Sequence, residues 1–248
     1  MVESRFPIYL SLIIRSFFFS FLVFLKLSIY CLLIINIIIF FFRLITWIIN
    51  VYIERLIGNH SFYVQDGFKI SLYYFLFSEF IFFFRLFWYY FDSSLVPLEE
   101  LGGFWLPKGL FIVRPFSVPF LNSLILLRRA IRLTWVHYGF LNLNKKKYSY
   151  LLTLLLGLFF LLFQFFEYSL LDFRFSDRVY GRIFFFITGF HGLHVLLGLL
   201  FLLINYFIFI KNNFVVNHHL SLEFSIIYWH FVDVIWLYLF IFLYWWSY

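Results

Sequence analysis

The chain is 248 residues long, 65% hydrophobic and 12% charged, with 43 Phe and a mean hydropathy of +0.96. A soluble domain carries about 25% charged residues, so a water-soluble globule and a disordered chain are both excluded. The net charge of +7 sits in a chain so apolar that anionic lipid headgroups, rather than nucleic acid, are its expected counterpart. The single cysteine, Cys31, excludes an internal disulfide framework and multi-cysteine metal or iron–sulfur sites. There is no Gly-rich phosphate loop. What remains is a polytopic membrane protein.

About 20 apolar residues are needed to cross a bilayer, and seven such stretches are read along the sequence. The N-terminus, MVESRFPIYL, runs into an apolar stretch too long for a signal-peptide core. The single alanine (Ala130) is the mark of AT-rich coding, and the two features together predict an organelle-encoded chain inserted from within. The first two spans are Ile8–Leu25 and Ile29–Ile49, followed by a polar connection, ERLIGNHSFYVQDG. The third, Ile70–Phe91, carries Glu79 about ten residues from either end, near the midplane. A carboxylate at that depth needs a partner or water. It reads either as a proton-handling or lipid-contacting group, or as a protonated Glu bonded to a neighbouring helix. Four of the five prolines then cluster between Pro97 and Pro119 and predict one long loop.

The fourth span, Val118–Phe140, contains Arg128, Arg129 and Arg132. Each arginine costs about 2.5–3.5 kcal/mol at the centre of a membrane helix, so the three must meet carboxylates, lipid phosphates or a partner protein. Arg128 and Arg132 are four apart and can address one ligand, while Arg129 turns toward an adjoining face. The fifth span is Tyr150–Tyr168 and the sixth Val179–Ile210. In the sixth, His191 and His194 are three apart and are expected to project from one side. Gly181, Gly189 and Gly192 form a stripe where another helix is expected to approach closely. His-x-x-His on a helix is a metal-ligating spacing, but no third ligand stands at helical spacing nearby, which favours hydrogen bonds between helices. The seventh span, Ser221–Trp246, holds His230 and Asp233, again three apart. They read as a local pair or as polar contacts to span six, with no nucleophile beside them. Tyr244, Trp245, Trp246 and Tyr248 form an aromatic belt. Seven spans place the termini on opposite sides, and the Lys145–Lys147 run favours the N-terminus inside.

Long motifs then identify a family. YGRIFFFITGFHGLHVLLG, NHHLSLE and YWHFVDVIWLYLFIFLYWW resemble the last two helices of cytochrome c oxidase subunit III. The likeness continues upstream through SEFIFFF, FWYYFDSSLVPLEELGGFWLPKG, VPFLNSLILL, TWVHYGFL and FQFFEYS, so that it covers Trp47 to Tyr248. The resemblance implies an all-α polytopic membrane protein of seven transmembrane helices. These form two groups, 1–2 and 3–7, around a lipid-filled cleft, with residues 1–67 as the first group and its matrix-side loop and 68–248 as a five-helix bundle. It further implies a non-redox core subunit of mitochondrial respiratory complex IV. Such a subunit supports subunit I and sustains proton uptake during oxygen reduction, with its N-terminus in the matrix and its C-terminus in the intermembrane space. Haem and copper would lie in partner subunits and no metal or other redox group in this chain. Subunit I would be the main contact, with subunit II and accessory subunits also partners. The bound molecules would be phospholipids: cardiolipin, phosphatidylethanolamine or phosphatidylglycerol.

By the same resemblance, Glu79 matches a membrane-buried carboxylate beside the cleft. Trp47, His60, Trp88 and Lys211 match lipid-associated positions, and His191, His194 and His230 match positions that bind no metal. His137, His191, His194, His230 and Asp233 are therefore taken as polar groups between helices. The sequence departs from the family pattern at Glu54-Arg55, which stand in shifted register, at Asp92 and Tyr138, where the family has histidine, and at the arginine cluster. The cluster has no counterpart in the family's small, apolar stretch and predicts a lineage-specific partner or anionic lipid at Arg128, Arg129 and Arg132. Two competing readings are a quinol oxidase subunit III and a membrane di-iron oxygenase built on His191, His194, His218 and His219. A copper-binding subunit II partner would exclude the first, and lack of stoichiometric iron the second.

Overall fold

A computed structural model describes residues 5–58, 61–97, 105, 113–142, 146–211 and 219–247, the side chains of Leu56 and Arg178 apart. Among the described residues there are seven helices and no strand. They are α1 (Phe6–Leu27), α2 (Cys31–Ile57), α3 (Phe62–Leu95), α4 (Val118–Leu141), α5 (Lys147–Ser169), α6 (Arg178–Ile210) and α7 (Leu220–Leu239), the last continued by π-helical turns over Phe240–Trp245. Helix starts follow the sequence: Pro7 and Pro119 occupy the first turns of α1 and α4, where the missing N–H has no helical acceptor to lose. Gly58 ends α2 in the left-handed region at φ 84°, which lacks a steric penalty only for glycine.

One expectation is refined. The polar stretch ERLIGNHSFYVQDG is not one loop: α2 runs to Ile57 and α3 begins at Phe62, so that Gln65, Asp66 and Gly67 are helical. Polarity marks exposure to water, which a helix extending past the hydrocarbon meets as readily as a loop does. At about 1.5 Å per residue α3 far exceeds the roughly 30 Å hydrocarbon thickness. Of the seven expected spans, six are helices long and apolar enough to cross a membrane among the described residues. The exception is α4, which has the length, at 24 residues, but carries the three arginines.

The chain divides into two compact units, Met1–Phe68 and Lys69–Tyr248. In the first, α1 and α2 form a hairpin turned at Ser28, whose φ of 54° makes it the one non-glycine among the described residues in the left-handed region. Its N–H closes the last turn on the Phe24 carbonyl. Ser16 Oγ donates to Asn36 Oδ1 at 2.9 Å and the Arg43 guanidinium lies over the Tyr9 ring. In the second unit α4 packs on α5 and α7, and α6 on α5 and α7. The buried core runs from Phe83, Phe87 and Tyr90 of α3 through Leu133 and Phe160 to Trp229 and Trp236 of α7.

Candidate functional site

Of the polar residues that sequence reasoning singled out within the spans, Glu79, His194, Arg129 and Asp233 sit at mid-depth of the second unit and are tied in pairs between helices. Glu79, on α3, accepts or donates one proton across a 2.8 Å contact between its Oε2 and His194 Nε2 on α6. His194 Nδ1 is 2.7 Å from the Phe190 carbonyl. A carbonyl can only accept, so Nδ1 carries a hydrogen and a single further proton is shared between Nε2 and the carboxyl group. Whether that proton sits on nitrogen or oxygen, the pair has no net charge, which removes most of the cost of placing a carboxylate in hydrocarbon.

His191 does not join it. Although three residues from His194, it is buried against the rings of Phe160 on α5 and Trp236 on α7, with centroids at 5.8 and 5.2 Å, and neither of its nitrogens has a hydrogen-bond partner. The expected common projection is thus corrected. Three residues advance a helix by about 300°, and α6 is surrounded closely enough that this offset delivers the two rings to different neighbours.

The arginine cluster also divides. Arg129 is fully buried, and its Nη2 donates to Asp233 Oδ1 on α7 at 3.2 Å. Its guanidinium carbon lies 3.8 Å from the Trp229 ring centroid, a cation–π contact that supplements the ion pair where water is excluded. Gly157 on α5 makes the room: a Cβ there would lie 2.7 Å from Arg129 Nη1 and 2.5 Å from Leu199. The partner of Arg129 is therefore a carboxylate of the same chain, not a lipid or a second protein. Asp233 accordingly faces α4 rather than forming the local pair with His230, whose Nε2 lies 3.4 Å from Thr134 Oγ1 of α4. Arg128 is exposed and Arg132 half-buried on the outer side of α4.

The close approaches fall on other glycines than expected. A Cβ on Gly189 or Gly192 would meet nothing within 4 Å, and one on Gly181 would meet the Arg174 carbonyl of the preceding loop. Gly198 is where α7 comes close, with the Trp229 ring 2.8 Å from such a Cβ. Further contacts lock the helices pairwise. Trp236 Nε1 donates to Ser123 Oγ. Asn205 and Ser221 exchange two bonds, Nδ2 to the serine carbonyl and serine Oγ to Oδ1. Tyr150 donates to the Leu202 carbonyl. Tyr–carbonyl and Ser–Asn pairs of this kind cannot be read from sequence, because either residue at a helix surface is equally at home unpaired.

His137, near the end of α4, meets His219 and Glu223 at the start of α7. The ligand atoms of the three lie within 4.8 Å of one another, the one such group among the described residues able to share a cation. His219 Nε2 stands 3.0 Å from Glu223 Oε1, off the hydrogen-bond direction, so that His137 Nε2 and both His219 nitrogens lack hydrogen-bond partners. Two imidazoles and a carboxylate are a zinc-type donor set. Sequence spacing did not gather it because its members lie on two helices. The positions expected to contact lipid are less enclosed: Trp88 and Lys211 are exposed and Trp47, in the first unit, is half-buried. His60 and His218 lie outside the described residues.

Comparison with known proteins shows the family. The family model described as cytochrome c oxidase subunit III matches residues 1–248. The chain belongs to the cytochrome c oxidase subunit III family. It is 47% identical over 192 residues to cytochrome c oxidase subunit 3 of Rhipicephalus sanguineus, covering 76% of this chain and 74% of that one. To the subunit 3 of Chondrus crispus it is 41% identical over 226 residues, covering 90% and 80%. To that of Mammuthus primigenius the identity is 43% over 192 residues, covering 77% and 74%. A subunit III is a component of the haem–copper oxidase and works in association with other oxidase subunits. Within this family member, the Glu79–His194 and Arg129–Asp233 pairs tie α3 to α6 and α4 to α7.

Proposed function

We propose that this chain is the non-redox core subunit III of a mitochondrial cytochrome c oxidase, in the inner membrane, with α4 as its seventh spanning segment. Its N-terminus faces the matrix and its C-terminus the intermembrane space. In this reading it packs against subunit I, with subunit II and accessory subunits alongside. It holds phospholipid in a cleft between α1–α2 and α3–α7 and sustains proton uptake into subunit I while oxygen is reduced. Trp47, His60, Trp88 and Lys211 are the proposed lipid contacts. Haem and copper would be supplied by the partner subunits.

The observation that carries the proposal is that the costly mid-membrane groups are spent on one another: Glu79 with His194, and Arg129 with Asp233. Paired in this way they tie α3 to α6 and α4 to α7. Purification of the native complex tests it. The expected result is a haem–copper spectrum, a subunit II with a copper-binding domain, and phospholipid retained in proportion to this chain. A quinol oxidase would lack that copper-binding domain, and iron bound stoichiometrically by this chain alone would overturn the reading.

A further inference from the structure

With α4 placed across the membrane as proposed, Arg128 and Arg132 fall near its centre, and the bundle itself supplies the ruler. Arg129, next to Arg128, reaches Asp233 in the middle of α7 and Phe160 and Gly157 in the middle of α5. Yet Arg128 is exposed and Arg132 half-buried, and neither has a hydrogen bond, ion pair or ring contact among the described residues. Guanidinium stays charged at any accessible pH. Two of them turned outward at mid-depth are unstable in lipid unless something answers them.

The rest of that face indicates what does. Leu124, Arg128, Ile131, Trp135 and Tyr138 are all exposed, Ile131 at 71% and Trp135 at 59%. They recur at spacings of four, three, four and three, the pattern by which one helix seats its side chains into another. Arg128 occupies a seam position and Arg132 flanks it. A phosphate headgroup is the wrong depth for them. It lies about 15 Å from the midplane, farther than an arginine side chain snorkelling from mid-depth extends. No carboxylate stands on the face among the described residues, and a third cation, Lys146, is stacked on Trp135.

We infer that the outer face of α4 is the docking seam for a transmembrane helix of a partner subunit, and that this helix carries an Asp or Glu at mid-depth which pairs with Arg128 and Arg132. Bidentate contact to one carboxylate suits two guanidiniums four residues apart on a helix. The inference rests on the proposed placement of α4 across the membrane of an oxidase. Arg129, fully buried and paired with Asp233 within the chain, takes no part.

A structure of the native oxidase is the direct test. The expected result is a partner helix along Leu124–Tyr138 with a carboxylate oxygen within 4 Å of either guanidinium. A lipid phosphate drawn into the bilayer, a water-filled pocket, or bare hydrocarbon at these side chains would each overturn it. A second measurement uses the Arg128→Leu/Arg132→Leu variant of the whole complex. The partner chain is expected to be lost on detergent washing about tenfold more readily, with subunit I and phospholipid phosphorus retained per haem. Retention of every subunit with loss of phospholipid would also overturn it. A complex without haem and copper would instead sink the function proposed above, which separates the two failures.

Discussion

The two units of the chain solve the membrane problem in opposite ways. In Met1–Phe68 the most apolar window of α2 buries nothing and that of α1 almost nothing, whereas half of the corresponding window of α7 is buried. The hairpin is held by local contacts: a tight turn at Ser28, the Ser16–Asn36 bond and Arg43 over Tyr9. The five-helix unit has an aromatic core, glycines that admit a neighbour, and ion pairs that cross it. Apolar helices gain nothing from the hydrophobic effect once in lipid, so hydrophobicity inserts both units equally. Only shape and polar pairing make one of them a packed body.

The sharpest way to break this contrast is at Asp233. Asp233→Ala leaves the Arg129 charge buried without a partner, at a cost of about 3–5 kcal/mol. Oxidase content measured from the haem spectrum should fall severely, and the double variant Asp233→Leu/Arg129→Leu should recover most of it, because removing both partners removes the unpaired charge. Wild-type levels in the single variant would show that the pair contributes nothing. Next comes the close approach of α6 and α7. Gly198→Leu overpacks the Trp229 ring and should lower stability by about 1–3 kcal/mol, read as a reduced melting temperature of the detergent-solubilised complex. Gly192→Ala, where nothing lies within 4 Å, should stay within about 0.5 kcal/mol of wild type.

A smaller effect is expected at the α3–α6 contact. Glu79→Gln keeps a hydrogen-bonding group opposite His194 and should leave assembly and lipid content unchanged. Glu79→Leu strands His194 Nε2 and should cost about 1–2 kcal/mol. Loss of the subunit on the glutamine change would mean that an ionised pair, not a shared proton, is required. The smallest effect is predicted in the exposed hairpin, where Asn36→Leu removes the short Ser16 Oγ–Asn36 Oδ1 bond, worth about 0.6 kcal/mol, and a long one from Nδ2 to the Ser16 carbonyl. A shift in protease sensitivity between α1 and α2, with the melting of the complex unchanged, would sharpen the view that the two units hold together independently.

Much of this was legible in the residues themselves. The seven helices, the family and the mid-depth placement of Glu79, His194 and Asp233 all follow from run lengths of apolar residues and from long motifs in order. Pairing did not. Asp233 stands three residues from His230, and spacing alone makes those two neighbours; the carboxylate in fact faces α4, because Gly157 leaves space for the Arg129 side chain there. The glycine stripe of α6 likewise predicted contact at Gly189 and Gly192, whereas Trp229 meets Gly198. Nor did any signal within one helix gather His137 with His219 and Glu223, which are brought together only by the packing of α4 on α7.

By itself the sequence determined that this protein lives in lipid, how many helices it forms and which side chains are too polar to be left facing hydrocarbon. Those are properties of single segments, fixed by transfer energies that each residue contributes with little regard to its neighbours. Which of the three arginines turns inward, and which acid answers it, was decided by the tertiary structure alone. A helix face has no preferred direction until another helix, shaped by its own small and large residues, closes against it.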